Sequence, residues 1–194
     1  MMMSQKNKIE TLLKSTQKIF STKDLGLLWN ISNRAKLKEN IKYYLRKQRL
    51  KKIYKGIYTL EDNYHELELA QNLVPISYIS YHTALKIHGI NFQYSSEIHA
   101  CALKSKSIKI KTQIFKYHQI KEEIFFNNLG ISKKNNYLLA NPERSICDAL
   151  YLNPSLDFSN LENINHEHLL EIAEIYKRKT LIKEIKCLIA HNMK

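Results

Sequence analysis

The chain has 194 residues, a formal net charge of +13, 44% hydrophobic and 25% charged residues, and three cysteines. Such a length and composition suit one large or two small globular domains with a buried core. No run approaches the roughly 18 apolar residues that span a bilayer, and Cys101, Cys147 and Cys187 lie far apart without a CxxC pair, which argues against a disulfide framework or a zinc site.

The charge is unevenly placed. Residues 1–60 hold 15 Lys and Arg against three acids, a net +12, whereas 16 bases and 15 acids nearly cancel in residues 61–194. This asymmetry predicts a basic N-terminal module, residues 1–62, followed by a neutral α+β module, residues 63–194. The opening MMMSQKNKIETLL shows no apolar block followed by a small-residue cleavage site, so it does not read as a signal peptide and the expected location is the cytoplasm.

In chain order, SQKNKIETLLKS places Ile9, Leu12 and Leu13 at helical spacing, with Ser4 as a candidate N-cap. STKDLGLLWN predicts a short helix capped by Ser21 or Thr22, its Leu25, Leu28 and Trp29 on one side and Gly26 weakening it. A longer helix opens near Ser32, with Leu37, Ile41, Tyr44 and Leu45 at i, i+4, i+7 and i+8 as the buried stripe. Asn33, Arg34, Lys36, Asn40, Tyr43 and Lys47 read as the opposite face, while Lys38, Lys42 and Arg46 flank the stripe. LKKIYKGIYTL then predicts a hairpin turning at Lys55-Gly56. Helix, short helix, long basic helix and hairpin is the order of a winged helix-turn-helix, an arrangement that binds DNA but also serves protein contacts. The hairpin lysines would touch phosphates, with Ile53, Ile57 and Leu60 pinning the ribbon.

Beyond residue 60, EDNYHELELAQN reads as a linking helix, and VPISYISYHTALKIHGI as a short apolar stretch followed by a helix over Ser80 to His88 closed by Gly89. EIHACAL and SIKIKTQIFKY alternate as strands do. A helix follows, capped by Asn141 with Pro142 at its first position and Arg144 four residues before Asp148. Helices over roughly His166–Tyr176 and Leu181–His191 end the chain.

Catalytic patterns are weak. His82 and His88 fall on different helix faces, His166 and His168 do not converge, and Glu143, Arg144 and Asp148 are accounted for by a cap and an ion pair. The four glycines form no phosphate loop. No catalytic residue, cofactor or metal is therefore expected, and a phosphoryl-transfer enzyme is the weakest reading.

Three segments resemble the AbiEi family, the antitoxins and transcriptional regulators of type IV toxin–antitoxin systems. STKDLGLLWNISNRAKLKENIKYYLRKQRLKKIYKGIYTL is similar to that family's N-terminal winged helix, including its Gly56-Ile57-Tyr58 ending. ISYHTALKIHGI resembles its Ser-His-x-Thr-Ala-Leu-x-x-His-Gly segment, and NPERSICDAL its Pro-Glu-Arg-x-x-x-Asp-Ala segment. Together they span roughly residues 10–152. The resemblance implies a repressor that binds repeats in its own promoter as double-stranded DNA, with room for self-association there. It also implies an antitoxin opposing a nucleotidyltransferase-like toxin without a stable complex, and no membrane partner. Carried over to this chain, the DNA-facing residues are Ser32, Asn33, Arg34, Lys36, Lys42 and Tyr43, with Lys51, Lys52 and Lys55 on the wing. His82, Thr83, His88, Arg144 and Asp148 are expected to act structurally, through buried hydrogen bonds and one ion pair. The alternative is an interaction module that binds protein or RNA without operator binding.

Overall fold

A computed structural model of the chain describes residues 5–90 and 96–192. It is a mixed α+β protein whose described residues form helices and two sheets, one of three strands and one of six. None of its helices is long and apolar enough to cross a membrane among the described residues. Two compact units divide after Pro75.

The first unit runs α1 (Gln5–Leu13), β1 (Ile19–Ser21), α2 (Thr22–Leu28), α3 (Arg34–Arg46), β2 (Lys51–Tyr54), β3 (Ile57–Thr59) and α4 (Glu66–Leu73). The expected Ser4 cap lies outside the described residues. Ser21 caps α2 in a reciprocal box: its hydroxyl accepts from Asp24 N at 3.1 Å and its own N–H donates to the Asp24 carboxylate at 2.8 Å. The helix ends with Asn30 in the left-handed region (φ 51°), and Ile31 N donates to Gly26 O at 2.9 Å. Gly26 has a packing reason to be small, because a Cβ there would meet Leu37 Cδ2 of α3 at 3.2 Å.

Antiparallel pairing gives the sheet order β1-β3-β2. At the hairpin turn Gly56 takes φ 77°, and its carbonyl accepts from both Thr22 N (2.9 Å) and Thr22 Oγ1 (3.2 Å), tying the turn to the start of α2. The core collects Leu12, Phe20, Leu25, Trp29, Leu37, Ile41, Tyr44, Leu50 and Tyr58. Ile57 is buried as expected, Ile53 and Leu60 are half-buried, and Tyr58 of β3 enters this core. The acidic segment read as a linker is α4 of this unit. Its buried Glu68 accepts from Lys18 N (2.9 Å) and Ile19 N (3.1 Å), satisfying the edge of β1, so the compact unit extends past the expected boundary at residue 62.

The second unit contains β4 (Ser77–Ile79), α5 (Tyr81–Ile87), β5 (Ile98–Ala102), β6 (Lys106–Ile110), β7 (Gln113–Gln119), α6 (Glu122–Phe125), β8 (Ile131–Lys134), β9 (Tyr137–Ala140), α7 (Pro142–Leu152), α8 (His166–Glu174) and α9 (Lys179–Asn192). Its sheet order is β6-β7-β5-β4-β9-β8. The β5–β7 and β4–β9 neighbours are parallel and the rest antiparallel. SIKIKTQIFKY, expected as one alternating stretch, folds into two strands about Lys111, which takes φ 54°. A second hairpin turns at Asn135 (φ 53°), and neither of its strands was anticipated. Helix α7 packs against α5 and α8, and α8 against α9.

Candidate nucleic-acid interface

Helix α3 is anchored by one face and open on the other. Leu37, Ile41 and Tyr44 are buried, and Leu45 is half-buried beside them. Ser32 is not its cap. Asn33 is, with extended backbone and Oδ1 accepting from Lys36 N at 3.0 Å. Ser32 precedes the cap as an exposed residue.

Arg34, Lys36 and Lys42 are exposed, as the reading required. Two residues given to the open face are half-buried and occupied within the chain. Tyr43 is half-buried, packs on the core and stands edge-on to Tyr44 at 5.2 Å between ring centroids. Asn40 is occupied on both sides: its Oδ1 accepts from Lys8 Nζ at 2.5 Å and its Nδ2 donates to Lys36 O at 2.8 Å. Burial, then the charge of Lys36, holds the Lys8 ammonium below its ordinary pKa. In exchange the structure exposes Lys38, Lys42 and Arg46, which sit at i, i+4 and i+8 in one row. The resemblance assigns only Lys42 of these three to DNA, although all three flank the apolar stripe at this spacing in the sequence.

On the hairpin Lys51, Lys52 and Lys55 are all exposed. Lys51 Nζ pairs with the Asp62 carboxylate, so its charge is partly answered within the chain. The remaining surface is rich in ammonium and guanidinium groups. Such groups donate to phosphate oxygens, and Arg also presents a fork to guanine.

The second unit treats its charges differently. Arg144 and Asp148 of α7 are both 0% exposed. Asn141 caps that helix by accepting from Arg144 N at 2.8 Å. The Asp148 carboxylate accepts three hydroxyls, from Ser80 (2.7 Å), Tyr176 (2.6 Å) and Tyr78 (3.0 Å). Arg144 donates to the carbonyls of Ile124 (2.8 Å), Asn127 (3.1 Å) and Leu129 (3.1 Å) and to the Tyr78 hydroxyl (3.1 Å). Its Nε lies 3.6 Å from Asp148 Oδ1 and makes no hydrogen bond. Burial opposes the Arg144 charge, but Tyr176, Asp148 and Tyr78 outweigh it and raise its pKa. Burial pushes the Tyr78 and Tyr176 hydroxyls up, with Asp148 adding to it, so both remain donors. This network stitches α6, its following loop, β4, α7 and Tyr176 into one core.

Beside it is a cluster of imidazoles. His99 Nδ1 and His118 Nε2 are 2.8 Å apart with stacked rings, and the His82 ring centroid lies 5.2 Å from that of His99. Burial, then the neighbouring His118, His82 and Lys116, lowers the His99 pKa to about 3. Thr83 Oγ1 accepts from His99 N at 2.8 Å, and His88 Nε2 lies 2.8 Å from Ala140 O. No group of three or more His, Cys, Asp or Glu among the described residues is arranged to hold a metal ion. His168 of α8 instead pairs with Glu171 at 3.0 Å.

No family model matches the chain, and a search of curated proteins finds no relative.

Proposed function

We propose that residues 1–62 form a winged helix-turn-helix that binds double-stranded DNA, α3 being the recognition helix and β2–β3 the wing. The observation that carries this reading is the row of exposed cations on α3, with Lys52 and Lys55 on the hairpin that follows and a net +12 over residues 1–60. Arg34 and Lys36 stand in the first turn of α3, where side chains of a recognition helix meet base edges. Lys38, Lys42, Arg46 and the hairpin lysines set affinity through phosphates.

On this reading the protein is a cytoplasmic, non-enzymatic repressor of its own operon. The resemblance to the AbiEi family extends the proposal to antitoxin of a type IV system, opposing a nucleotidyltransferase-like toxin without a stable complex. A gel shift on the DNA upstream of its own gene tests the first part. Binding is expected to weaken steeply with salt, and the combined Arg34→Ala and Lys36→Ala variant is expected to lose preference for that fragment. Unchanged affinity and preference in the double variant would remove α3 as the reading element. Rescue of growth when this chain is co-expressed with the neighbouring gene's product tests the second part; persistent toxicity sinks it.

A second reading rests on the occupation of Asn33 and Asn40. With the Asn33 Oδ1 and both ends of the Asn40 amide engaged inside the chain, the open face keeps mainly cations, which also suit RNA or an acidic protein. Failure of any duplex, specific or random, to bind at moderate salt favours it.

A further inference from the structure

The near-neutral balance of residues 61–194 conceals a second basic surface. Residues 98–121 contain six lysines and no acid. Strand β6 is an outer strand of the six-stranded sheet, paired on one side with β7 and on the other with no strand among the described residues. Lys104 precedes it, Lys106 and Lys109 lie on it, Lys111 forms the turn to β7, and all four are exposed. None of the four forms an ion pair among the described residues. Lys116 of β7, by contrast, has its Nζ 2.7 Å from Glu97.

Lysines on outer strands also guard against edge-to-edge aggregation. The opposite edge supplies the comparison within the same sheet. There β8 manages with Lys133 and Lys134, close to the exposed acids Glu122 and Glu123 in sequence. The β6 edge carries twice as many lysines over one strand and its two flanks, with Ser105, Ser107 and Thr112 interleaved as exposed hydroxyls and no exposed aromatic residue between Leu103 and Gln113. Ammonium and hydroxyl donors without stacking platforms suit phosphate oxygens rather than unstacked bases.

We propose that the β6 edge, from Lys104 to Lys111, is a second nucleic-acid contact that holds the phosphate backbone of duplex DNA without reading its sequence. It goes beyond the α3 reading and does not depend on it.

The test uses the full chain with Lys104, Lys106, Lys109 and Lys111 all replaced by Ala, titrated onto a random-sequence duplex across a salt series. Four lost phosphate contacts lower the slope of log affinity against log salt by about 3.6, so the loss between about 50 and 200 mM salt becomes roughly 100-fold smaller. Lys133→Ala with Lys134→Ala, on the other edge, is expected to leave the slope unchanged. Equal slopes for the wild type and the fourfold variant overturn the proposal, as does an equal fall in the β8 variant or a wild type that binds no duplex. A fourfold variant that binds DNA normally but loses a polyglutamate peptide overturns it in favour of an acidic protein partner. Arg34→Ala with Lys36→Ala in the same titration keeps the two readings apart. Loss of operator preference there with the random-duplex slope intact concerns α3 alone, while the fourfold variant reports on the β6 edge alone.

Discussion

Helices α3 and α7 begin alike and then diverge. Each opens on an asparagine whose Oδ1 accepts the backbone N–H three residues on, Lys36 N at 3.0 Å in α3 and Arg144 N at 2.8 Å in α7. The residue at that third position is a cation in both. In α3 it is an exposed lysine, one of a set that answers to solvent; in α7 it is an arginine with no exposure at all, held by three carbonyls, a tyrosine hydroxyl and an aspartate. The same local grammar thus produces an exposed cationic face in one unit and a structural clamp in the other. What differs is the supply of acceptors from elsewhere in the chain.

The widest separation between the two helices is expected in stability. Arg144→Ala leaves the Asp148 charge buried without its cation and should cost about 3–5 kcal/mol in urea unfolding of the full chain. Arg34→Ala and Lys36→Ala, at exposed positions, should each stay within about 0.5 kcal/mol. Equal costs at Arg144 and Lys36 would collapse the distinction. Gly130→Ala sharpens it from another side. Gly130 takes φ 77°, and a Cβ there would lie 2.8 Å from both Arg144 Cβ and Asn141 Oδ1 and 2.9 Å from Ile172 Cδ1, so a loss of more than about 1 kcal/mol is expected.

The shared feature should behave the same in both units. Asn33→Ala and Asn141→Ala are each expected to lower stability by about 1 kcal/mol, read from denaturation midpoints. A much larger loss at Asn141 would show that its cap is coupled to the buried network it introduces.

Acid should act on the second unit through its imidazoles. The folded His99 pKa, about 3, lies below the ordinary value of 6.5, so the native state binds fewer protons than the unfolded chain. Stability from this group is therefore complete above about pH 7 and is lost as pH falls through 6.5 toward 3. The groups facing His99 are His118, His82, Tyr81, Glu97 and Lys116. His99→Gln should flatten the fall in urea midpoint over that range; an unchanged profile would assign the acid sensitivity elsewhere.

The smallest effect concerns the hairpin. Lys52→Ala with Lys55→Ala should reduce affinity for operator and random DNA about equally, lowering the salt slope by roughly 1.8. Lys51→Ala should contribute less, because Lys51 already pairs with Asp62. A loss confined to the operator would mean that the hairpin reads sequence.

Several features were legible because their signals are local. The α2 cap, narrowed to Ser21 or Thr22, the cap at Asn141, the left-handed turns at Gly56 and Gly89, the buried stripe of α3 and the break in charge near residue 60 each lie within a few residues or in simple counts. Among the binding candidates, Ser32, Asn33, Arg34, Lys36, Lys42, Lys51, Lys52 and Lys55 emerged exposed. Tyr43 and Asn40 did not behave as surface residues, because an aromatic ring and an amide are taken up by whatever packs beside them, here the Tyr44 ring and Lys8.

The sequence by itself determined where α7 starts, which stripe of α3 is apolar, and that the first third carries nearly all the net charge. Only the tertiary structure decided that α4 completes the edge of β1, that two lysine-edged hairpins border the large sheet, and that Arg144 and Asp148 are wholly buried. The physical reason is range. A cap is satisfied three residues away, whereas the hydroxyl that Tyr78 donates to Asp148 comes from 70 residues earlier in the chain. No periodicity within either segment encodes that meeting, since it follows from the strand order of the sheet between them.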